Sequence, residues 1–228
     1  EVVKEHNGTL RDLETGESEG DRYWVKKGLT ESEIYANLAS NTLFENTSLG
    51  GPRSTYDESE QALIVEDLGE ITANHKLDEG ELSSYNPEAE SIIASTAVKA
   101  LIGDRDTEKN IAYCHESGEF RAFDFDKAGN RISSSFESAV DTAEELVEAS
   151  GYSSDKERLR EGLAKYMREI AQQADLEGMS EQLEDNPHGE QVLQNFKTAM
   201  NYESGEDPRY HFLQTWNREN ESQEAFAL

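Results

Sequence analysis

The reading turns on residues 101–129, "LIGDRDTEKNIAYCHESGEFRAFDFDKAG". An apolar helical pattern runs into it. Two strand-like segments, 110–114 and 120–126, flank a polar turn at 115–119. The polar residues are mostly carboxylates and amides, the hard oxygen donors that suit a cation such as magnesium. Asp and Asn also populate ordinary turns. What surrounds the stretch therefore has to decide whether the cluster is chemistry.

Immediately upstream, residues 88–103 form an apolar helical pattern, with Pro87 near its start and Gly103 as its stop signal. Before it, "ALIVEDLGEI" (62–71) is a short apolar run of buried-strand type that ends in acidic residues and Gly69. Residues 30–44 predict a helix, with Thr30 as N-cap, Glu33 at the capping-box position, and Ile34, Leu38 and Thr42 at helical spacing. "RYWVKKG" (22–28) is aromatic and β-branched, a strand. In "VVKEHNGTLRDL" the Asn7-Gly8 pair marks a hairpin, because both residues tolerate positive φ. The loop 46–61 leaves room for one more strand.

Downstream, residues 135–150 are amphipathic. Residues 153–174 place Leu159, Leu163, Tyr166 and Ile170 on one helix face, with Ser154 and Glu157 as a capping box. Helical patterning continues to about residue 203, and the polar tail 219–228 is expected to fray. Strands plus one helix come first and a mostly helical half follows. The expectation is an α+β chain in two lobes, residues 1–69 and 70–228, joined by a short hinge near 66–70.

The 228 residues suffice for a substantial core. No apolar run is long enough to span a membrane, and the first ten residues lack the basic and apolar regions of a secretory leader. The single cysteine, Cys114, leaves no internal disulfide, which suits a reducing compartment. The five histidines are scattered, with no zinc-type spacing.

Acidic residues number 49 against 21 basic ones, a net charge of -28. That surface repels nucleic-acid phosphates and anionic membranes. The acidity can suit a saline cytoplasm, serve a basic partner, or only keep the chain soluble. The spread of acids along the whole chain favours the first. Salt near 1 M shortens the Debye length to about 3 Å and screens self-repulsion. On the saline reading the melting temperature is expected to climb steadily from dilute buffer into molar potassium chloride. A flat profile would shift the reading to a basic partner.

A strand ending in lysine, a helix with an early glutamate, a buried strand leading to a hinge, then Asp, Asn and Asp on a loop and hairpin: this order resembles the protein-kinase-like fold. "GDRDTEKNI" followed by "FDFD" is similar to the Gly-Asp-Arg-His…Asn-Ile and Asp-Phe-Gly pair of the phosphatidylinositol-kinase-like group. That group of atypical kinases also takes in HipA-type and several bacterial effector kinases. The resemblance covers residues 1–140 and implies a small β-rich N-lobe with one helix and a mostly helical C-lobe.

The resemblance implies an ATP- and Mg2+-dependent kinase in which Asp104 is the catalytic-loop aspartate and Asn110 and Asp124 are metal ligands. Phe125 takes the Phe place, and Asp126 stands where the family has Gly. The family spaces its catalytic Asp five residues before the Asn. Here Asp104 is six before and Asp106 four before, so both stay candidates.

For the phosphate-binding lysine the family's Lys-x-Gly spacing points to Lys26, whereas strand alternation puts Lys27 on the face of Tyr23 and Val25. Glu33 is the expected partner of that lysine, with Glu31 as fallback. The backbone of Glu66 to Leu68 is the expected adenine contact. No glycine-rich phosphate loop occurs; "EHNGTL", with Gly8 alone, has to serve.

Such parts suit phosphoryl transfer for physical reasons: the lysine offsets phosphate charge, an Asp positions or deprotonates the acceptor hydroxyl, and Asn and Asp hold the metal. The expected acceptor is a protein hydroxyl, on a partner of basic character if the acidity serves one. The alternatives are a lipid or small-molecule kinase, or a pseudokinase that binds without transfer. The expected compartment is the cytoplasm, or a host cell for a secreted effector.

Overall fold

The computed structural model describes residues 2–5, 10–12, 22–47, 51–73, 89–107 and 110–212. The Asn7-Gly8 turn, the glycines at 8, 16 and 20, Pro87 and the tail beyond 212 lie outside them.

The first sheet has five strands: β1 (Val2–Glu5), β2 (Leu10–Asp12), β3 (Arg22–Lys27), β4 (Ser54–Asp57) and β5 (Ala62–Glu66). Their order is β2-β1-β3-β5-β4. β1 and β2 pair antiparallel, as the Asn7-Gly8 signal predicts; β1 and β3 pair parallel, and the remaining pairs are antiparallel. Between β3 and β4 lies α1 (Glu31–Asn46), and both halves of its capping box form. The Glu33 amide donates to Thr30 Oγ1 (3.3 Å) and the Thr30 amide to Glu33 Oε2 (2.9 Å). Asn41 fixes α1 to the sheet edge: its amide donates to the Ser54 carbonyl (2.5 Å), and its carbonyl accepts from the Ser54 N–H (2.7 Å).

The strand in 62–71 ends among its acidic residues, before Gly69, as expected. β5 ends at Glu66, and β6 (Ile71–Ala73) joins a second sheet with β7 (Ile111–Cys114) and β8 (Glu119–Ala122), ordered β6-β7-β8 and antiparallel throughout. Gly69, with φ +82°, makes the break.

α2 (Ala89–Ile102) is buried along most of its length and packs against β8 and three later helices. These are α3 (Ile132–Ala149), α4 (Lys156–Gln173) and α6 (Gly189–Met200); α5 (Leu176–Gln182) is short. α3 starts three residues before the expected 135, because the Asn195 side-chain carbonyl accepts from the Ile132 N–H (2.9 Å) and anchors an earlier first turn. α4 is capped by Asp155 rather than Ser154: Asp155 accepts from the Glu157 and Arg158 amides, while the Ser154 hydroxyl donates to Glu148 (2.5 Å).

The chain is α+β, with its two sheets separated near residues 67–70. The main core crosses that point. Ala36, Ala39, Leu43 and Phe44 of α1 share one buried cluster with Leu101, Phe136, Leu163 and Phe196. α1 is also bonded to the helical half: the Asn186 amide donates to the Tyr35 carbonyl (2.9 Å), and Asn46 donates to Gln182 (2.8 Å). Among the described residues no helix is long and apolar enough to cross a membrane.

Candidate active site

β3 separates the two lysines. Lys27 is exposed and pairs with Glu60 (3.2 Å) on the turn between β4 and β5. Lys26 points the other way, on the face of Trp24, and its side chain is only 15% exposed. Its ammonium donates to Asp124 Oδ1 (2.5 Å) and Asp126 Oδ1 (3.2 Å), joining β3 to the turn after β8 across 98 and 100 residues of sequence.

The Asp-Phe-Asp triplet begins two residues after the last residue of β8, Ala122. Phe125 is buried, its ring 5.7 Å from that of Phe44 in an edge arrangement. That anchor turns the flanking carboxylates toward Lys26. Asp124 has φ +53°, a left-handed conformation that Asp tolerates better than most residues. Asn110 sits across from this turn, its carbonyl accepting from the Phe123 N–H (3.0 Å).

The two carboxyls titrate in opposite directions. Burial pushes Asp124 up, but the Lys26 ammonium beside it and the hydrogen bond from Lys26 outweigh burial and hold it below the usual range. Burial raises Asp126; Lys26 opposes this, the neighbouring Asp124 charge adds to it, and Asp126 stays above the usual range.

Glu33 does not meet Lys26. It accepts from Thr30 and pairs with Lys127 (3.1 Å), and these hydrogen bonds, led by the Thr30 amide, hold its carboxyl low. The α1 residue that reaches the site is Asn37, one turn further on. Its amide donates to Asp126 Oδ1 (2.5 Å) and its carbonyl accepts from the Phe125 N–H (3.3 Å). The fallback, Glu31, lies in the first turn of α1 and is exposed.

Asp104 and Asp106 also part. Asp104 is fully buried: Oδ2 accepts from the Lys99 ammonium (2.9 Å) and Oδ1 from the Asp106 N–H (2.8 Å). Asp106 is half-buried, and its backbone N–H is held by Asp104 Oδ1. The Glu66 amide is committed to the Arg53 carbonyl (2.8 Å). Asp67 accepts from the Trp24 indole N–H (2.9 Å), and Leu68 lies beyond β5, in neither sheet. Cys114 is buried, its thiol pushed up to about 11, so it is no nucleophile here.

Among the described residues no three His, Cys, Asp or Glu side chains form a metal-holding group. Asp124, Asp126 and the nearby Asn110 are a smaller set of hard oxygen donors, of the kind that holds magnesium together with phosphate oxygens. The Lys26 ammonium between the two carboxylates marks a place where they already hold a cation.

No protein-family model, curated protein or solved structure matches this chain.

Two residues went unseen in the sequence. Lys99 had a signal: a lone cation in an apolar helical pattern, five residues before Asp104. Asn37 had a weaker one, a helical turn after Glu33 beside apolar Ala36.

Proposed function

We propose that the chain is an ATP- and Mg2+-dependent phosphotransferase of the atypical kinase type, acting on a protein hydroxyl. One observation carries the reading: a strand lysine, Lys26, meets the two carboxylates of Asp124 and Asp126 just after a hairpin whose first strand follows Asn110. A lone strand-end lysine is ordinarily solvated; one drawn into two carboxylates of the turn after β8 is a built contact.

On this reading Lys26 turns to the nucleotide phosphates and offsets their charge. Asp124, Asp126 and Asn110 hold the metal, which supplies charge neutralisation at the transferring phosphoryl group. Asp106 takes the acceptor-facing role, orienting the hydroxyl and accepting its proton. The enclosure of Asp104, with both oxygens engaged inside the protein, argues against that role for it. With the Glu66 amide engaged, a backbone contact to the base falls to Asp67 and Leu68.

Lys26→Met is expected to weaken ATP binding by tenfold to a hundredfold, the worth of about 1.5–3 kcal/mol for a charged hydrogen bond. Lys27→Met is expected to change it by less than about twofold, because its only described ion pair is exposed. Calorimetric titration with ATP checks both. Transfer is tested with γ-labelled ATP and a protein extract, with Asp106→Ala as control. Label on proteins with the wild type, absent with the variant, supports the reading.

A second reading, a pseudokinase that binds nucleotide without transfer, is favoured by Glu33, which is committed to Thr30 and Lys127. ATP binding without label transfer selects it.

A further inference from the structure

We infer that Lys99 is a positioning residue: its buried ammonium fixes the loop bearing Asp106 to the turn bearing Asp124. The role assigned to those two aspartates rests on the kinase reading; the strut itself does not.

The Lys99 side chain is fully buried, at 0% exposure. An ammonium carries three protons, and each has an acceptor. Asp104 Oδ2 lies at 2.9 Å, the Phe123 carbonyl at 2.6 Å and the Asp124 carbonyl at 2.8 Å. The ammonium also stands 4.4 Å from the centre of the Phe125 ring. From Asp104 the connection runs on, since Oδ1 accepts from the Asp106 N–H (2.8 Å). A single charged group therefore holds together the segment that leads into β7 and the one that leaves β8, at the open end of the hairpin. Two successive carbonyls aimed at one ammonium require a kinked backbone, and Asp124 supplies the kink with φ +53°.

A buried ion pair can also be plain core structure, so the test must read more than stability. The set is wild type, Lys99→Met, Asp104→Asn and the double variant, each measured for turnover, KM for ATP, and amide hydrogen exchange at residues 104–107 and 123–126. The strut predicts that each single variant loses turnover by about a hundredfold with KM changed by less than about threefold. The double variant is expected to lose no more than the worse single, because the two residues act as one unit. Both segments are expected to exchange faster together in all three variants. In Asp106→Ala, which leaves the strut intact, turnover falls while residues 123–126 keep their wild-type exchange.

Normal turnover in Lys99→Met with only a lowered melting point overturns the inference, as does multiplication of the two single losses. If the wild type transfers no phosphate, the kinase reading fails, and joint loosening of the two segments still decides the strut. If Lys99→Met does not fold, the isosteric Asp104→Asn supplies the exchange comparison alone, and unchanged exchange there overturns the inference.

Discussion

Asp124→Asn is expected to lower phosphoryl transfer by on the order of a thousandfold, about 4 kcal/mol of barrier, while the protein stays folded. Asparagine keeps the side-chain shape and, like aspartate, tolerates the left-handed backbone at this position, φ +53°. What it removes is charge. Asp124 is the carboxylate of the pair that Lys26 holds low against the cost of burial. Without it a divalent cation keeps one carboxylate instead of two, and Lys26 loses its closer partner at 2.5 Å. Circular dichroism and a melting curve near the wild-type values, together with single-turnover kinetics, separate this from unfolding. Wild-type turnover at saturating magnesium would remove Asp124 from the chemistry.

Gly103→Ala carries the largest expected effect on stability, at least about 3 kcal/mol. The left-handed backbone costs a residue with a Cβ roughly 1–2 kcal/mol, and φ here is +74°. Space is worse: a Cβ at 103 would stand 1.7 Å from the Asn130 carbonyl oxygen, a backbone atom. Asn130 cannot retreat without breaking bonds on both sides. Its N–H donates to the Gly103 carbonyl (3.0 Å), the Gly129 N–H donates to the Ile102 carbonyl (2.9 Å), and its own carbonyl accepts from Asn195 (2.8 Å). For a domain of this size the melting temperature is expected to fall by roughly 6–12 °C. An unchanged melting curve would mean that the 102–103 and 129–130 segments do not approach as described.

Features whose cause is local in sequence were legible. The capping box of α1, the β1–β2 hairpin and the β7–β8 hairpin rest on residues a few positions apart, and their signals could be read directly. The resemblance pointed to Lys26 rather than Lys27; in the fold Lys26 meets Asp124 and Asp126 while Lys27 pairs with Glu60 at the surface. What the sequence hid depends on contacts between distant segments. The strand that ends at the acidic residues before Gly69 was legible; that Ile71 starts a strand of a second sheet, paired with Cys114, was not. Asp104 matched the motif better than Asp106, yet its burial follows from Lys99. Spacing alone cannot say which of two nearby aspartates turns inward. Glu33 had two possible roles, cap or lysine partner; the cap needs only residues 30–33, and that local solution prevails. Asn37, one turn on, is the α1 residue that reaches Asp126 instead.

The measurement that tests the central claim most directly is ATP binding to the purified wild type, with and without magnesium, by calorimetry and thermal shift. The predicted result is a magnesium-dependent complex. At ATP about a hundredfold above its Kd, stabilisation is about 2.7 kcal/mol, a rise of roughly 5–11 °C in melting temperature. Lys26→Met is expected to weaken the complex, and Asp124→Asn to abolish its magnesium dependence. No heat of binding and no thermal shift with millimolar ATP, with or without magnesium, would contradict a nucleotide site at Lys26, Asp124 and Asp126.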